Sequence, residues 1–330
     1  MSGITEEIQC KNLVSSVENA VARANYVHIN RQMGIATSIV TYIPFAFGKP
    51  AGLQMANPYK QFFYDGTGKV IKSLDFADTG EIVQRETFSF SKIKGEEKIV
   101  SSNNISSDGV IEESYHYDNN GLLTKYELIN PKWPVSKVEE YEYDKFSRKC
   151  KKTSYGLIAE PYLVTHYLYD SDKDHNFSYR YVTSPEGQLL LTILLTYDVK
   201  NEKQTGMYSF NMIPDEIKAL RKNNKDWELQ STTRSSWQYN KEGNLAGFEK
   251  DVQIDRGLNM FLHFNDNNII KQRLVTEKYM NEYEKLADGK QYLLRTTEWL
   301  PQFNEPLKGI KQYQYLNKVG KSLYSPEHKA

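Results

Sequence analysis

Two cysteines in 330 residues, Cys10 and Cys150, exclude a disulfide scaffold and every Cys-x-x-Cys metal or redox site. Two reduced thiols favour a reducing compartment, so the chain is expected in the cytoplasm. Neither sign of charge is in excess: 42 Lys and Arg stand against 42 Asp and Glu. The densest basic run, Arg148, Lys149, Lys151 and Lys152, follows directly on Glu139, Glu140, Glu142 and Asp144. It suits two solvated strand faces better than a phosphate track, and nucleic acid is not an expected partner. No run approaches the roughly 20 apolar residues of a spanning helix. The most apolar early stretch, residues 35–47, is interrupted by Thr37, Ser38, Thr41 and Pro44. A buried segment is its first assignment, and membrane or partner contact its second. The basic start and apolar core of a secretory signal are also missing.

Catalytic and cofactor signatures are equally scarce. There is no Walker loop, dinucleotide fingerprint or Gly-x-Ser-x-Gly, and no His-Glu-x-x-His among the six histidines. His116 and His263 occupy matching places one residue before a strand-ending aromatic, which points to strand faces. Asp170, Asp172 and Asp174 resemble the opening of a calcium loop. The sixth and twelfth positions, however, hold His175 and Tyr181 instead of Gly and Glu. No metal and no cofactor is expected, and no catalytic residue is assigned.

What the chain does have is tyrosine: 24 Tyr and 14 Phe. Tyrosine joins an apolar ring to a polar tip and suits half-buried sheet faces. The aromatics recur in a unit. Residues 61–72 read as a strand ending in Tyr64-Asp65, a turn at Gly66-Thr67-Gly68 and a return strand. Residues 73–83, 114–125, 181–191, 236–246 and 261–271 repeat the plan, and 313–323 is a divergent copy. Aromatics at i and i+2 share one strand face, Asp or Asn closes the turn with its side chain, and Gly or Asn supplies positive φ. Tyr117, Tyr143 and Tyr169 each precede an Asp and stand 26 residues apart. Such a spacing marks a repetitive architecture.

The expected fold is mainly β: a large antiparallel twisted sheet of repeated hairpins, open or partly closed, with a short N-terminal helical segment. Residues 1–58 form that helical and apolar segment, 59–324 the hairpin domain and 325–330 a tail. Within the first, Leu13, Val14, Val17, Ala20, Val21 and Ala24 make an apolar stripe at helical spacing over 11–33, with Gly34 as its stop. Residues 213–224 form a short helix with Pro214 in its first turn.

Tyr115-His-Tyr-Asp-Asn-Asn-Gly-Leu-Leu and Phe62-Phe-Tyr-Asp-Gly-Thr-Gly-Lys-Val resemble the YD repeat of the RHS family. Tyr141-Glu-Tyr-Asp keeps the opening but carries Ser147 in place of Gly. The resemblance implies sheets wound into shells, which in bacterial members enclose a toxin and elsewhere act at cell surfaces. This chain is too short for a closed shell and has no toxin domain after its repeats.

Three function classes follow. The first is a non-enzymatic binding protein, a toxin-associated chaperone or immunity component, with a protein partner or self-association. The second is a hydrolase or isomerase with a sheet-lined cavity. The third is a toxin component that contacts a membrane through residues 11–47. The candidate ligand surface is an aromatic platform of Tyr179, Tyr181, Tyr208, Trp227, Trp237 and Trp299, suited to an apolar small molecule or glycan.

Overall fold

A computed structural model describes residues 34–324 apart from 47–48, 51–58, 78, 108, 131–136, 157–159, 199–202, 254–272, 286–290, 300–306 and 320–321. Alternation of large apolar and polar side chains makes strands of almost all of it. Strand β1 is Ile35–Ala46, and β2 (Lys49–Pro50) folds back on its end. Then come β3 (Lys60–Tyr64), β4 (Val70–Phe76), β5 (Ile82–Ile93), β6 (Glu96–Ser106), β7 (Gly109–Tyr117) and β8 (Leu123–Ile129). Next are β9 (Lys137–Tyr143), β10 (Lys149–Tyr155), β11 (Pro161–Leu168), β12 (Tyr179–Thr183), β13 (Leu189–Tyr197) and β14 (Gln204–Phe210). After a helix, α1 (Pro214–Asn223), follow β15 (Thr233–Tyr239), β16 (Leu245–Gln253), β17 (Arg273–Lys285), β18 (Gln291–Trp299), β19 (Leu307–Asn317) and the short β20 (Ser322–Tyr324).

From β3 to β19 each strand pairs antiparallel with the next. Strand β1 then pairs with both ends of the series: Thr37 to Val40 lie opposite Phe63 to Lys60 of β3, and Ile35 to Pro44 lie opposite Asn317 to Gly309 of β19. The ring therefore closes, as an antiparallel barrel of 18 strands. Expectation and structure part here. An open or partly closed sheet is corrected to a barrel without sheet edges, and the RHS/YD-repeat resemblance does not carry over as architecture. The closing strand comes from residues 35–46, which the sequence pattern groups with the N-terminal segment. Closure satisfies the backbone groups that an open sheet would leave at its edges. The expected helix over 11–33 and the hairpin over 261–271 lie outside the described residues.

The hairpin chemistry is as the pattern predicts. Asp118 Oδ1 accepts the backbone N–H groups of Asn120 and Leu122, both at 2.8 Å. Asp144 Oδ1 holds those of Phe146 and Arg148, and Asp65 those of Thr67 and Lys69. Gly121 takes φ +76, a left-handed conformation, and in the β9–β10 turn Ser147 is forced into the same region at +61. These capped turns all lie at one end of the barrel, the tip end. The other end carries the longer connections and is the loop end.

Alternation assigns every strand two faces. One bears the repeat tyrosines, Tyr115, Tyr117, Tyr126, Tyr141, Tyr143, Tyr167 and their counterparts. The opposite face bears α1, whose Asp215 side chain is 83% exposed, as on an outer surface. Along β6 the tyrosine-face residue Ser102 is buried while Asn103 and Ile105 on the other face are exposed. The tyrosine face is thus the concave one, where converging side chains shield one another.

Two apolar clusters anchor the sector β12–β16, one on each face. Outside, Ile217 of α1 packs with Tyr179, Leu194, Tyr208 and Phe210, with Trp227 at their margin. Inside, Ile193, Leu195, Met207, Trp237 and Phe248 pack together. Helix α1 begins at Pro214, whose missing N–H is harmless in a first turn, with Asp215 and Glu216 at its positive end.

Candidate functional site

The tyrosines perform a repeated structural task at the tip end. Tyr117 Oη donates to the carbonyl of Ile99 at 2.8 Å, Tyr143 to Leu123 at 2.7 Å and Tyr169 to Lys149 at 3.0 Å. Tyr197 reaches Phe177, Tyr239 reaches Gln204 and Tyr315 reaches Leu293 in the same way. Each bond ties the strand entering a capped turn to the beginning of the strand before it, and so joins successive hairpins around the ring. Basic side chains lace the tips further. Lys98 donates to the carbonyl of Gly121 at 2.6 Å, Arg148 to those of Ser171 and Asp174, and Lys203 to that of Gly243. Lys69 pairs with Glu97.

Deeper in the barrel the inner face carries ionised groups among the rings. Glu113 accepts three hydroxyl bonds, from Ser102 at 2.6 Å, Tyr115 at 2.8 Å and Tyr126 at 2.9 Å. Burial and the Glu113 charge push both phenols well above their ordinary value, so they remain donors. Two strands further on, Glu139 is 6% exposed and holds Lys137 and Lys152 at 2.8 Å each and the Tyr141 hydroxyl at 2.7 Å. Burial alone would raise this carboxyl. The ammonium groups of Lys152 and Lys137 overcome burial and bring it to about 2.

The outer face is charged around the middle of the same sector. His116 and Lys125 meet Glu127, Lys151 meets Glu142, and the Tyr155 hydroxyl meets Glu140. An open groove of about 590 Å³ runs over this surface between Lys125, Glu140, Lys151 and Val164. Along it Lys151 pairs with Glu142, Lys125 reaches out to Glu127, and Glu140 accepts the Tyr155 hydroxyl.

Toward the loop end the outer face changes character. Ten of the fourteen exposed large apolar side chains among the described residues lie at the loop end around the circumference, most of them outward; Leu274, opposite Val252, is on the inner face. Val83 opens β5, Ile105 closes β6 and Ile129 closes β8, at 46%, 47% and 47% exposure. Tyr162 opens β11, Leu190 opens β13, and Ile213 and Leu229 sit in the β14–β15 connection. The outside therefore has a charged belt and an apolar collar at one end.

The expected aromatic platform is not one surface. Tyr179, Tyr208 and Trp227 do come together, with Tyr208 and Trp227 ring centres 4.7 Å apart, but beneath α1 and in the core. Tyr181 stacks on His166 at 4.5 Å on the outer face. Trp237 belongs to the inner cluster, and Trp299 ends β18 at the loop end. Among the described residues no group of three His, Cys, Asp or Glu side chains is placed to hold a metal. The Asp170–Asp174 run serves a tip: Asp170 accepts the Ser178 hydroxyl, and Asp174 the backbone N–H of Ser171. The collar escapes sequence analysis, because strand-terminal Val and Ile are indistinguishable there from core residues.

No protein family and no curated protein matches the chain. Among solved structures it is similar to a porin-like protein from Bacteroides uniformis ATCC 8492, at 8% identity over 86% of this chain and 97% of that one, with a TM-score of 0.34. It is also similar to TcdB2-TccC3, at 10% identity, 81% of this chain, 20% of that one and a TM-score of 0.22. A third similarity is to the Photorhabdus luminescens Tc holotoxin pore, at 9% identity, 81% of this chain, 17% of that one and a TM-score of 0.21. The chain spans about a fifth of the length of these two toxin structures.

Proposed function

We propose that this closed antiparallel barrel is a non-enzymatic protein that acts at a membrane surface, seated by the apolar collar at its loop end. Closure also overturns the expected cytoplasmic setting. Even-numbered antiparallel barrels of this size are the architecture of outer-membrane proteins, a class that the cysteine count does not address. The single observation that supports surface attachment is the division of the outer face. A barrel that spans a bilayer needs an outward apolar band about 25 Å tall. Here Lys125, Glu127, Glu140, Glu142 and Lys151 occupy the middle of the outer face, where hydrocarbon would have to lie. Most of the exposed apolar side chains among the described residues collect at the loop end, a depth suited to the headgroup boundary. Among the described residues no helix is long and apolar enough to cross a membrane.

Membrane contact through residues 11–47 is sharpened by this arrangement. Residues 35–46 are a stave of the barrel, paired on both sides, and not a free segment. Residues 11–33 lie outside the described part.

Flotation of the full chain with anionic and zwitterionic vesicles tests the proposal. Binding is expected for the unaltered protein and reduced when Val83, Ile105 and Ile129 are replaced together by serine. A folded protein that never floats with vesicles, or a triple variant that floats as well as the parent, overturns it. A protein partner on the same collar is the competing outcome, and would show as a stable complex with no vesicle association.

A further inference from the structure

The groove of about 590 Å³ on the outer face crosses four successive strands, β8 to β11. Antiparallel register lays its polar residues in two rows. In the first, Glu140 of β9 stands opposite Lys125 of β8 and Thr153 of β10, and Thr153 opposite Val164 of β11. In the second, Glu142 stands opposite Lys151. Glu142 follows Glu140 two residues later on the same strand, so the rows lie about 7 Å apart. Pro161, Val164 and Pro185 add an apolar wall beside Tyr155.

The charges of the lining cancel: two ammonium groups, Lys125 and Lys151, face two carboxylates, Glu140 and Glu142. The groove therefore favours neither an anion nor a cation. Its hydrogen-bonding capacity does not cancel in the same way. Lys151 closes on Glu142 at 2.8 Å, but Lys125 turns from Glu140, its neighbour in the register, and pairs with Glu127 at 2.7 Å. Glu140 is exposed and keeps a single partner among the described residues, the Tyr155 hydroxyl, which donates to Oε2 at 2.9 Å. That bond steadies the carboxylate and leaves Oε1 as an acceptor for a ligand. The Thr153 hydroxyl opposite it can donate and accept. Such a lining suits a molecule that is uncharged, rich in hydroxyls and apolar on one face.

We propose that this groove binds a neutral saccharide, with Glu140 as its principal acceptor. A sugar hydroxyl donates to Glu140 Oε1 and accepts from Lys125 or Thr153; bonds to the charged partners are the stronger ones. The C–H face of the same ring lies against Tyr155 and Pro161. Glu142 and Lys151, one row along, meet the next ring of a short chain. The volume falls within the roughly 300–1,000 Å³ of small-molecule sites. The groove is separate from the collar at the loop end, so the site stands or falls independently of attachment to a membrane.

Saturation-transfer NMR and calorimetric titration of the full chain with maltotriose, cellotriose, mannotriose and chitotriose test it, with trigalacturonate as the charged counterpart. At least one neutral trisaccharide is expected to bind saturably at one site, and about as well at high salt as at low salt. E140A is expected to weaken that binding by about tenfold, the loss of hydrogen bonds to one charged group. T153V, which exchanges a hydroxyl for a methyl of similar shape, should weaken it by about threefold. E112Q, at an exposed position on the outer face of β7 and outside the groove, should leave it unchanged. Absence of saturable binding by every neutral sugar of the set overturns the proposal. So does undiminished binding in folded E140A and T153V, equal weakening by E112Q, tighter binding of trigalacturonate, or binding that high salt abolishes. The sugar panel and its salt dependence need only the unaltered chain, so they decide the matter whatever a variant does to folding.

Discussion

The hydroxyl of Tyr143 donates a 2.7 Å hydrogen bond to the backbone carbonyl of Leu123, 20 residues earlier, at the start of the strand before its own. Tyr117, Tyr169 and Tyr197 repeat the bond with Ile99, Lys149 and Phe177, so the repeat tyrosine acts as a clasp between successive hairpins. Y143F keeps the ring and deletes only the donor. It is expected to lower stability by about 1 kcal/mol and to lower the Tm by a few degrees. Combining Y117F, Y143F and Y169F should add their losses, since each clasp has its own carbonyl. Urea denaturation checks this. A triple variant as stable as the parent would remove the clasp from the account of the fold.

The β9–β10 turn is strained at Ser147, which holds φ +61 where the other units place Gly. A side chain in that region costs roughly 1 kcal/mol. S147G is therefore expected to stabilise the barrel by about 0.5–1 kcal/mol, after allowing for the greater freedom of glycine in the unfolded chain. D144A works in the opposite direction, because Asp144 holds two backbone N–H groups and the Arg148 side chain. Its expected cost is about 1–2 kcal/mol. Paired chemical-denaturation curves of the two variants should bracket the parent; a destabilised S147G would show that the serine is preferred there.

Glu139 sets an acid limit on the inner wall. Its folded-state pKa, about 2, lies below its ordinary 4.5. The stabilisation it contributes is therefore complete above the ordinary value and is lost as pH falls from there through about 2. Stability measured between pH 6 and pH 2 should drop over that range, and the slope should flatten in E139Q. At neutral pH E139Q is expected to cost about 3 kcal/mol, because Lys137 and Lys152 lose the carboxylate they share. An unchanged acid slope in E139Q would assign the drop to other carboxylates.

Tyr115 and Tyr126 set the alkaline counterpart. Their pKa values are raised, first by burial and then by Glu113, so their contribution is present below the ordinary phenol value of 10 and is lost as pH rises beyond it. Spectrophotometric titration should find phenols that ionise only together with unfolding at high pH. Replacing Glu113 by Gln is expected to bring some of that ionisation to lower pH.

Helix α1 covers part of the described outer face, and Ile217, fully buried against Tyr179 and Phe210, is its anchor. I217A is expected to destabilise by about 3 kcal/mol. The vesicle flotation of the collar variants, with Val83, Ile105 and Ile129 as targets, should be unaffected by the inner-face variants K149Q and R180Q. Loss of flotation in every variant would indicate general unfolding.

The strands, the Asp-capped turns at Asp65, Asp118 and Asp144, and the helix after Pro214 were legible because each depends on neighbours within a few residues. Side-chain alternation, Asx capping and first-turn proline are local physics. The tyrosine unit likewise announced a sheet of hairpins. The same local regularity misled beyond that range, since a hairpin looks alike in an open sheet, a shell and a barrel.

Closure depended on β1 meeting β3 on one side and β19, more than 260 residues away, on the other. Long-range pairing leaves no periodic trace in either segment. The candidate aromatic residues dispersed for a related reason. Strand parity is countable, but bulges such as that between Lys149 and Lys151 and the docking of α1 decide which parity is buried and on which side. Lys149 and Lys152 on β10 and Arg180 on β12 were visible only as scattered basic residues until both strands paired with β11 and brought them onto one face. The sequence by itself determined a tyrosine-rich antiparallel sheet with its turns. Only the tertiary structure decided that it closes, which face is inside, and where charge and apolar surface collect, because these follow from contacts between residues far apart in the chain.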